Sequence, residues 1–253
     1  MSGRVGSITT DIIADGLIFN MDAANRASTI PSTSTTEAFN TIDLSQSGSF
    51  SGNGIYDSST LSPTLAFDTT NYITIGDHFN FEYNNPFTYS IWVYANAVNG
   101  TKILFSKYDS SSTKGYIMSI GSTYQSGPNR AFFALYNKGS GSISTRKTLQ
   151  VYSPYDMTLN TWKNIVFTYD GNSLASGAKI YVNSILQSLT TSQDTLGSNT
   201  ILNSESATIA KGNYYDGGYM GGNLGPYHIY NRALSANEVL HNYNALKGRF
   251  GLS

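Results

Sequence analysis

The chain of 253 residues contains no cysteine, which excludes a disulfide framework and any thiolate metal site. Stability must therefore come from packing, hydrogen bonding or oligomerisation. Charged residues are also scarce, at 12% of the chain, about half of the roughly 25% that is usual. Because Ser, Thr, Asn, Gly and Tyr are abundant, the surface must be polar mainly through hydroxyl and amide groups.

Two further features are missing. The net charge is −1 and no Lys/Arg cluster occurs, so nucleic acid and anionic membrane surfaces are not expected partners, since both need concentrated positive charge. The first twenty residues alternate small, polar and charged side chains, and no later stretch is apolar enough to span a membrane. We therefore expect the chain to be made and folded in a cytoplasm.

What is present is a series of short runs with a period of two. Phe87–Tyr94 alternates apolar and polar residues most clearly, as a half-buried strand does. Turn signals such as Asp170-Gly171 separate the runs. About a dozen strands in two packed antiparallel sheets are therefore predicted, with Trp92 and Trp162 in the core. The other predicted strands are Gly16–Asn20, Tyr72–Ile75, Lys102–Ser106, Tyr116–Ile120, Ala131–Tyr136, Thr161–Tyr169, Lys179–Val182, Thr208–Ala210 and Pro226–Tyr230.

One domain is expected, because an all-β chain of this length commonly stays undivided and no linker interrupts it. Residues 1–15 are predicted as an N-terminal arm and residues 16–253 as the sandwich. Within the sandwich, residues 27–62 are rich in Ser, Thr and Gly, which predicts a long loop region with one or two short strands.

One short helix is predicted near the C-terminus. Ser235 and Glu238 form a capping-box pattern. One apolar face would contain Val239, Leu240, Tyr243 and Leu246, and Gly248 would end the helix. We expect the helix to pack on the edge of the sandwich.

No catalytic motif is recognisable. The chain has only four glutamates, isolated in sequence, and its three histidines are scattered. The sequence therefore favours a non-catalytic protein. An enzyme that acts on polysaccharides stays an alternative only if distant carboxylates such as Glu82 and Asp109 meet in a cleft with one raised pKa.

Three aspartates at strand ends or in turns are candidate ligands of a structural calcium ion: Asp22, Asp68 and Asp170. Ordinary turn hydrogen bonding would explain them more simply. A candidate ligand-binding loop contains Asn213, Tyr214, Tyr215, Asp216 and Tyr219, whose rings and polar groups suit sugars or protein partners. In the alternative interpretation, its glycines allow a tight loop and its tyrosines pack back on the sandwich.

Several segments resemble a laminin G-like domain of the concanavalin A-like lectin/glucanase superfamily, over about residues 16–249. The most specific match is Leu224–Glu238, a strand that leads into an Ile-Tyr-Asn-Arg-Ala-Leu-Ser helix start. The other matching segments are Leu17–Asn25, Ile42–Ser45, Leu65–Asp68 and Trp162–Gly171. The resemblance implies a jelly-roll sandwich that binds carbohydrate or protein.

The chain is also similar to domains of virion proteins from tailed bacteriophages. This similarity implies a structural protein of a capsid or tail, assembled in the bacterial host cytoplasm and bound to other virion proteins, with a homo-oligomer as a further expectation. The alternative is a glycan-binding adhesion module that is not part of a particle. Both functions can hold together.

Overall fold

The structure is a computed structural model that describes residues 12–31, 35–97, 100–121, 130–139, 146–154, 158–212 and 218–253. Within these ranges the chain forms sixteen strands and one α-helix, α1 (Ala236–Leu246). The strands are β1 (Leu17–Met21), β2 (Thr35–Ala38), β3 (Gly48–Asp57), β4 (Thr64–Asp68), β5 (Tyr72–Gly76), β6 (Phe87–Ala95), β7 (Thr101–Asp109), β8 (Lys114–Gly121), β9 (Arg130–Asn137), β10 (Lys147–Tyr152), β11 (Trp162–Tyr169), β12 (Ala178–Val182), β13 (Ile185–Leu186), β14 (Thr190–Asp194), β15 (Ala207–Ile209) and β16 (Gly221–Tyr230).

The strands form two antiparallel sheets packed face to face. Sheet A has the order β13-β12-β11-β6-β16, and β16 pairs on its other side with β4 and β1. Sheet B has the order β2-β3-β5-β15-β7-β8-β9-β10-β14. Strand β3 belongs to both sheets, because it pairs with β5 through its first half and with β4 through its second half. The predicted all-β two-sheet sandwich with one short C-terminal helix is confirmed.

Aromatic side chains fill the space between the sheets. Tyr89 of β6 lies 4.6 Å from Phe105 of β7, measured between ring centroids. Its hydroxyl is 2.8 Å from that of Tyr116, which donates to the carbonyl of Phe79 at 2.7 Å. These buried hydroxyls are therefore paired, as burial of polar groups requires. The residues of β6 that face sheet B are Phe87, Tyr89, Ile91, Val93 and Ala95. The period-two pattern predicted that the alternate set is exposed, and this is wrong, because Thr88, Ser90 and Trp92 are also buried.

The stretch 27–62 contains more regular structure than its composition suggests. It holds β2, a short 3-10 turn at Leu44–Gln46 and the ten-residue β3. Gly48 lies so close to β5 that an added Cβ would stand 2.2 Å from Cγ2 of Ile73. Strand pairing on both sides of β3 therefore overrides its low intrinsic β propensity.

Only the end of the predicted N-terminal arm is described. Residues 1–11 lie outside the described part of the chain. The backbone of Ile13 accepts a hydrogen bond from the hydroxyl of Tyr230 at 3.0 Å and donates one to Asn242 at 2.8 Å. This part of the arm is therefore fixed between β16 and α1.

Helix α1 begins with the predicted capping box, in which Ser235 and Glu238 bond to each other's backbone N–H groups. Leu240 was wrongly placed on the buried face, since it is 45% exposed, and Asn242 is buried there instead. The chain continues as a 3-10 turn at Lys247–Phe250. Gly251, with φ of +70°, ends this segment, so Gly248 is not the stop that was predicted.

The C-terminal segment covers the outer face of sheet A, and the prediction that the helix packs on the sandwich edge is wrong. Trp92 on this face stacks on Phe250, with ring centroids 4.3 Å apart. Trp162 is half-buried against the same ring at 4.6 Å. Both tryptophans therefore pack beneath the C-terminal segment and not between the sheets.

A buried ion pair fastens this cover. The guanidinium of Arg249 donates to both carboxylate oxygens of Asp22 at 2.7 and 2.8 Å, and also to the hydroxyl of Ser62. The side chains of Arg249 and Asp22 are 10% and 2% exposed. A bidentate pair of this kind is strong and directional.

His228 of β16 lies beside this pair and is 2% exposed. Burial lowers the pKa of His228 from 6.5 to about 4; the Asp22 carboxylate opposes this shift and Arg249 reinforces it. Its Nδ1 atom is buried without a hydrogen-bond partner in the described structure. The imidazole is therefore neutral in the folded protein at pH 7.

Replacing Arg249 tests the ion pair. Arg249→Ala leaves the buried Asp22 carboxylate without its charge partner, so the free energy of unfolding should fall by about 3 kcal/mol or more. Asp22→Asn combined with Arg249→Met should recover part of this loss, because no uncompensated charge remains. The measurement is urea unfolding at pH 7 with exposed Arg26→Ala as control. A loss below about 1 kcal/mol would contradict the assignment.

His228 predicts a defined pH dependence. Between pH 6.5 and about 4, the unfolded chain takes up a proton at His228 that the folded chain does not. Stability is therefore highest above pH 6.5 and decreases as the pH falls through this window, by about 3 kcal/mol in total. In urea titrations from pH 7 to 4, His228→Gln should flatten this decrease and His241→Gln, at an exposed position, should not. An unchanged slope in His228→Gln would refute the assignment.

Candidate functional site

Several strand ends and loops meet at one end of the sandwich, next to the predicted ligand-binding loop. The end of β4 pairs with the start of β16 through Asp68 and Gly221. The start of β5 pairs with β3 through Tyr72 and Ser51. Ala210, which follows β15, accepts a backbone hydrogen bond of 2.9 Å from Met220, which precedes β16.

Of the five residues predicted to bind a ligand, Tyr219 is the one that the structure describes. Asn213, Tyr214, Tyr215 and Asp216 lie outside the described residues. Tyr219 is half-buried, and its ring centroid is 6.0 Å from that of Tyr72 at an interplanar angle of 62°. Tyr72, the aromatic neighbour of Tyr219, was not among the predicted ligand-binding residues.

Two glycines beside the described ends of the predicted ligand-binding loop meet steric requirements. A Cβ on Gly212 would stand 2.7 Å from Cγ1 of Ile103. Gly222 has φ of +120°, and a Cβ there would stand 2.0 Å from the carbonyl oxygen of Tyr94. These two glycines bring the ends of the loop close to the sheets.

Four residues form what we name the Tyr72–Tyr219 patch: Ser51, Tyr72, Lys211 and Tyr219. Nζ of Lys211 lies 4.1 Å from the ring centroid of Tyr72 and 5.7 Å from that of Tyr219, which are cation–π distances. Hydrogen bonds from Ser51 and Lys211 lower the pKa of the Tyr72 hydroxyl. The patch thus presents half-buried rings, hydroxyl groups and one positive charge.

Sequence reasoning missed Tyr72 and Lys211. Tyr72 begins a predicted strand and Lys211 follows another, so each lay at a recognisable strand end. Their meeting with Tyr219 depends on the β3–β5 and β5–β15 pairings, which no local pattern specifies.

A second aromatic surface lies on the outer face of sheet B. Phe132 of β9 and Tyr152 of β10 are directly opposite each other in the register. The guanidinium carbon of Arg130 lies 4.4 Å from the ring centroid of Tyr152. Tyr152 therefore offers a control position, outside the Tyr72–Tyr219 patch, for substitutions of an aromatic side chain.

The predicted calcium ligands have protein partners of their own. Both carboxylate oxygens of Asp22 bind Arg249, so a guanidinium occupies the place of a cation. One oxygen of Asp68 accepts three hydrogen bonds from Thr70 and Asn71. Asp170 accepts from the backbone of Asn172 at 2.9 Å.

These contacts do not assemble a calcium site from the three aspartates. Over the described ranges, no group of three or more acidic or histidine side chains is arranged to hold a metal ion. Calcium binding remains a prediction.

The carboxylates considered for catalysis also have structural partners. Glu82 accepts hydrogen bonds from the hydroxyl of Thr200 at 2.8 Å and the backbone of Ile201 at 3.2 Å. Hydrogen bonds from Ser111 and Ser112 lower the pKa of Asp109 to about 2. A carboxylate that acts as a general acid needs a raised pKa. Asp109 therefore does not meet the condition that the enzyme alternative set for one of the two carboxylates.

No helix among the described residues combines the length and hydropathy that crossing a membrane would need.

A family comparison covers most of the chain. The sequence profile of a family described as the concanavalin A-like lectin/glucanases superfamily matches residues 67–240. The matched region begins in β4 and ends within α1, and it includes Tyr72, Lys211 and Tyr219. No curated protein sequence matches the chain.

Solved structures with similar folds include parts of an enzyme and of toxins. Domain 4 of AbnA, a GH43 extracellular arabinanase from Geobacillus stearothermophilus solved with arabinotriose, superposes with a TM-score of 0.61 at 16% identity, over 90% of this chain and 98% of that one. The binding domain of Paraclostridial Mosquitocidal Protein 1 gives 0.61 at 15% identity, over 94% and 55%.

A third similar structure is the ligand-binding domain of botulinum neurotoxin serotype D in complex with N-acetylneuraminic acid. It superposes with a TM-score of 0.59 at 13% identity, over 94% of this chain and 52% of that one. The present chain therefore spans about half the length of the mosquitocidal-protein structure and of the neurotoxin structure. At these identities the likeness establishes the shared fold.

Proposed function

Because the chain belongs to the concanavalin A-like lectin/glucanases superfamily, we propose that it is a non-catalytic carbohydrate-binding protein whose binding site is the Tyr72–Tyr219 patch. The observation that carries this proposal is the meeting of two half-buried tyrosine rings and a lysine at the loop-rich end of the sandwich. Loops on a rigid scaffold are a frequent location of binding sites.

The chemistry of the patch suits a sugar. The apolar C–H face of a pyranose or furanose ring packs on an aromatic ring, and a tyrosine also offers its hydroxyl for hydrogen bonding. Tyr72 and Tyr219 meet at an angle of 62°, so their rings can line two sides of one ligand. Ser51 and Lys211 add polar groups at the margin.

The similar solved structures give further support. Domain 4 of the arabinanase was solved with arabinotriose, and the serotype D toxin domain with N-acetylneuraminic acid. Both ligands are carbohydrates.

The non-catalytic part of the proposal is supported by the carboxylates. Glu238 serves the helix cap and pairs with Arg232 at 2.7 Å. In the described part of the chain, the shifted carboxyl pKa values are all lowered, as for Asp109 and Glu238 at about 2. Such groups stay ionised at neutral pH and do not act as general acids.

Glycan binding is tested with a glycan array, followed by calorimetry on the strongest ligands. Tyr219→Ala should weaken binding about 10- to 30-fold, as for an aromatic anchor at the centre of a site. Tyr219→Phe should keep most of the affinity, because the ring remains. Tyr152→Ala on the outer face of sheet B is the matched control and should bind as the parent protein does.

The same assay separates the related expectations. Binding is measured with calcium and with a chelator, which tests the predicted calcium ion, and the ligands are checked for cleavage products. Failure of the parent protein to bind any glycan would refute the proposed function. Cleavage of a bound glycan would refute its non-catalytic part.

We also propose that the chain is a structural component of a virion, on a capsid or tail. The motivation is the resemblance to phage virion domains that the sequence suggested, and the scarcity of recognisable catalytic motifs is compatible with it. A particle protein can also bind glycans on a cell surface, so both functions are compatible. Other virion proteins, and further copies of this chain, would be its partners.

Quantitative mass spectrometry of gradient-purified particles from the source tests the virion role. The chain should be present at a fixed ratio to the major capsid protein, high for capsid decoration and low for a tail or fibre. Its absence from the particles would contradict this role and would leave a free glycan-binding protein.

A further inference from the structure

The charge of the Tyr72–Tyr219 patch is not balanced by a described carboxylate. The ion pairs found in the described residues join Lys107 to Asp77, Arg232 to Asp15 and Glu238, and Arg249 to Asp22. Lys211 is in none of them, although it is half-buried against two rings. An ammonium group placed there has lost part of its hydration and faces aromatic surfaces, which attract it only weakly.

Asp68 is a described carboxylate at the end of β4, which leads into this end of the sandwich. Its carboxylate accepts hydrogen bonds within the turn between β4 and β5. Its Oδ1 atom accepts from the backbone and hydroxyl of Thr70 at 2.9 and 2.6 Å and from the backbone of Asn71 at 3.2 Å. These hydrogen bonds, led by the hydroxyl of Thr70, lower the pKa of Asp68. Asp68 therefore stabilises the turn before β5 instead of neutralising Lys211.

We propose that Lys211 makes the Tyr72–Tyr219 patch selective for glycans that carry an anionic group, an inference that rests on the glycan-binding function proposed above. The ammonium group of Lys211 lies over the ring of Tyr72 at 4.1 Å. A sugar ring stacked on Tyr219, whose centroid is 5.7 Å from this ammonium group, brings its substituents within reach of the charge. A carboxylate or sulfate at this place forms a charge-assisted hydrogen bond, which is stronger than a neutral one. Lys211 is then the residue that determines specificity.

The test uses ligand pairs that differ in charge and share their sugar rings. The probes are trigalacturonate with its methyl ester, sialyllactose with lactose, and a sulfated galactan oligosaccharide with its desulfated form. In the parent protein, the charged member of at least one pair should bind about tenfold more tightly than the neutral one. This preference should decrease as salt is raised from 50 to 500 mM, because salt screens an exposed charge.

Variants then assign the preference to Lys211. Lys211→Gln should bind both members of a pair with the affinity that the parent has for the neutral member, and Lys211→Arg should keep the preference. Tyr219→Ala should weaken both members alike. Melting temperatures of all variants are compared first. If Lys211→Gln unfolds, Lys211→Arg still tests the inference, because a loss of the preference for charged ligands in Lys211→Arg would contradict it.

The outcomes separate this inference from the function beneath it. Equal affinity for both members of every pair, or a preference that survives in Lys211→Gln, overturns the selectivity and leaves glycan binding intact. No binding of any charged or neutral probe, on these pairs and on the array, overturns the glycan-binding function itself. A preference for the sulfated pair alone identifies sulfate as the anionic group, and a preference for the first two pairs identifies carboxylate.

Discussion

The burial of β6 and β16 on both faces is the constraint on which the rest of the molecule depends. One face of these central strands packs against sheet B, as in any two-sheet sandwich. Their other face contains Trp92, His228 and Tyr230, all buried, so sheet A needs a second cover. Helix α1 and the turn after it supply this cover, and the pair of Arg249 with Asp22 fastens the end of the chain to the end of β1.

This arrangement decides where a binding site can lie. The outer face of sheet A is occupied by the chain itself, and the interior is filled by aromatic rings. The outer face of sheet B is also buried around Ile103, Ile117 and Tyr136, so the two ends of the sandwich are the surfaces that we consider. At one end, Tyr72, Lys211 and Tyr219 come from three separate segments, and the strands behind them fix their spacing. A rigid scaffold with short connecting segments is well suited to such a site.

Much of the fold could be predicted from local patterns. In β6, successive side chains point to opposite faces of the sheet, so the strand shows as a period of two in the sequence. The capping box of α1 needs only two residues that are three positions apart. Strand β3 has no such signal, because Ser and Gly have little β propensity and its pairing partners come later in the chain. Leu240 was misplaced because the alternation of a helix face does not reveal that Asn242 bonds to Tyr230 and Ile13. Of the proposed site, Tyr219 alone was a candidate from the sequence, since the approach of Tyr72 and Lys211 requires the register of sheet B.

The position of the glycan-binding site is tested most directly by a map of amide chemical shifts in ¹⁵N-labelled protein during titration with the tightest glycan from the array. The proposed position of the glycan site predicts that the largest changes occur at Asn71–Ile73, Lys211–Gly212 and Gly218–Gly221, which surround the Tyr72–Tyr219 patch. Changes centred on Phe132 and Tyr152, or on any surface that leaves these three segments unaffected, would contradict it.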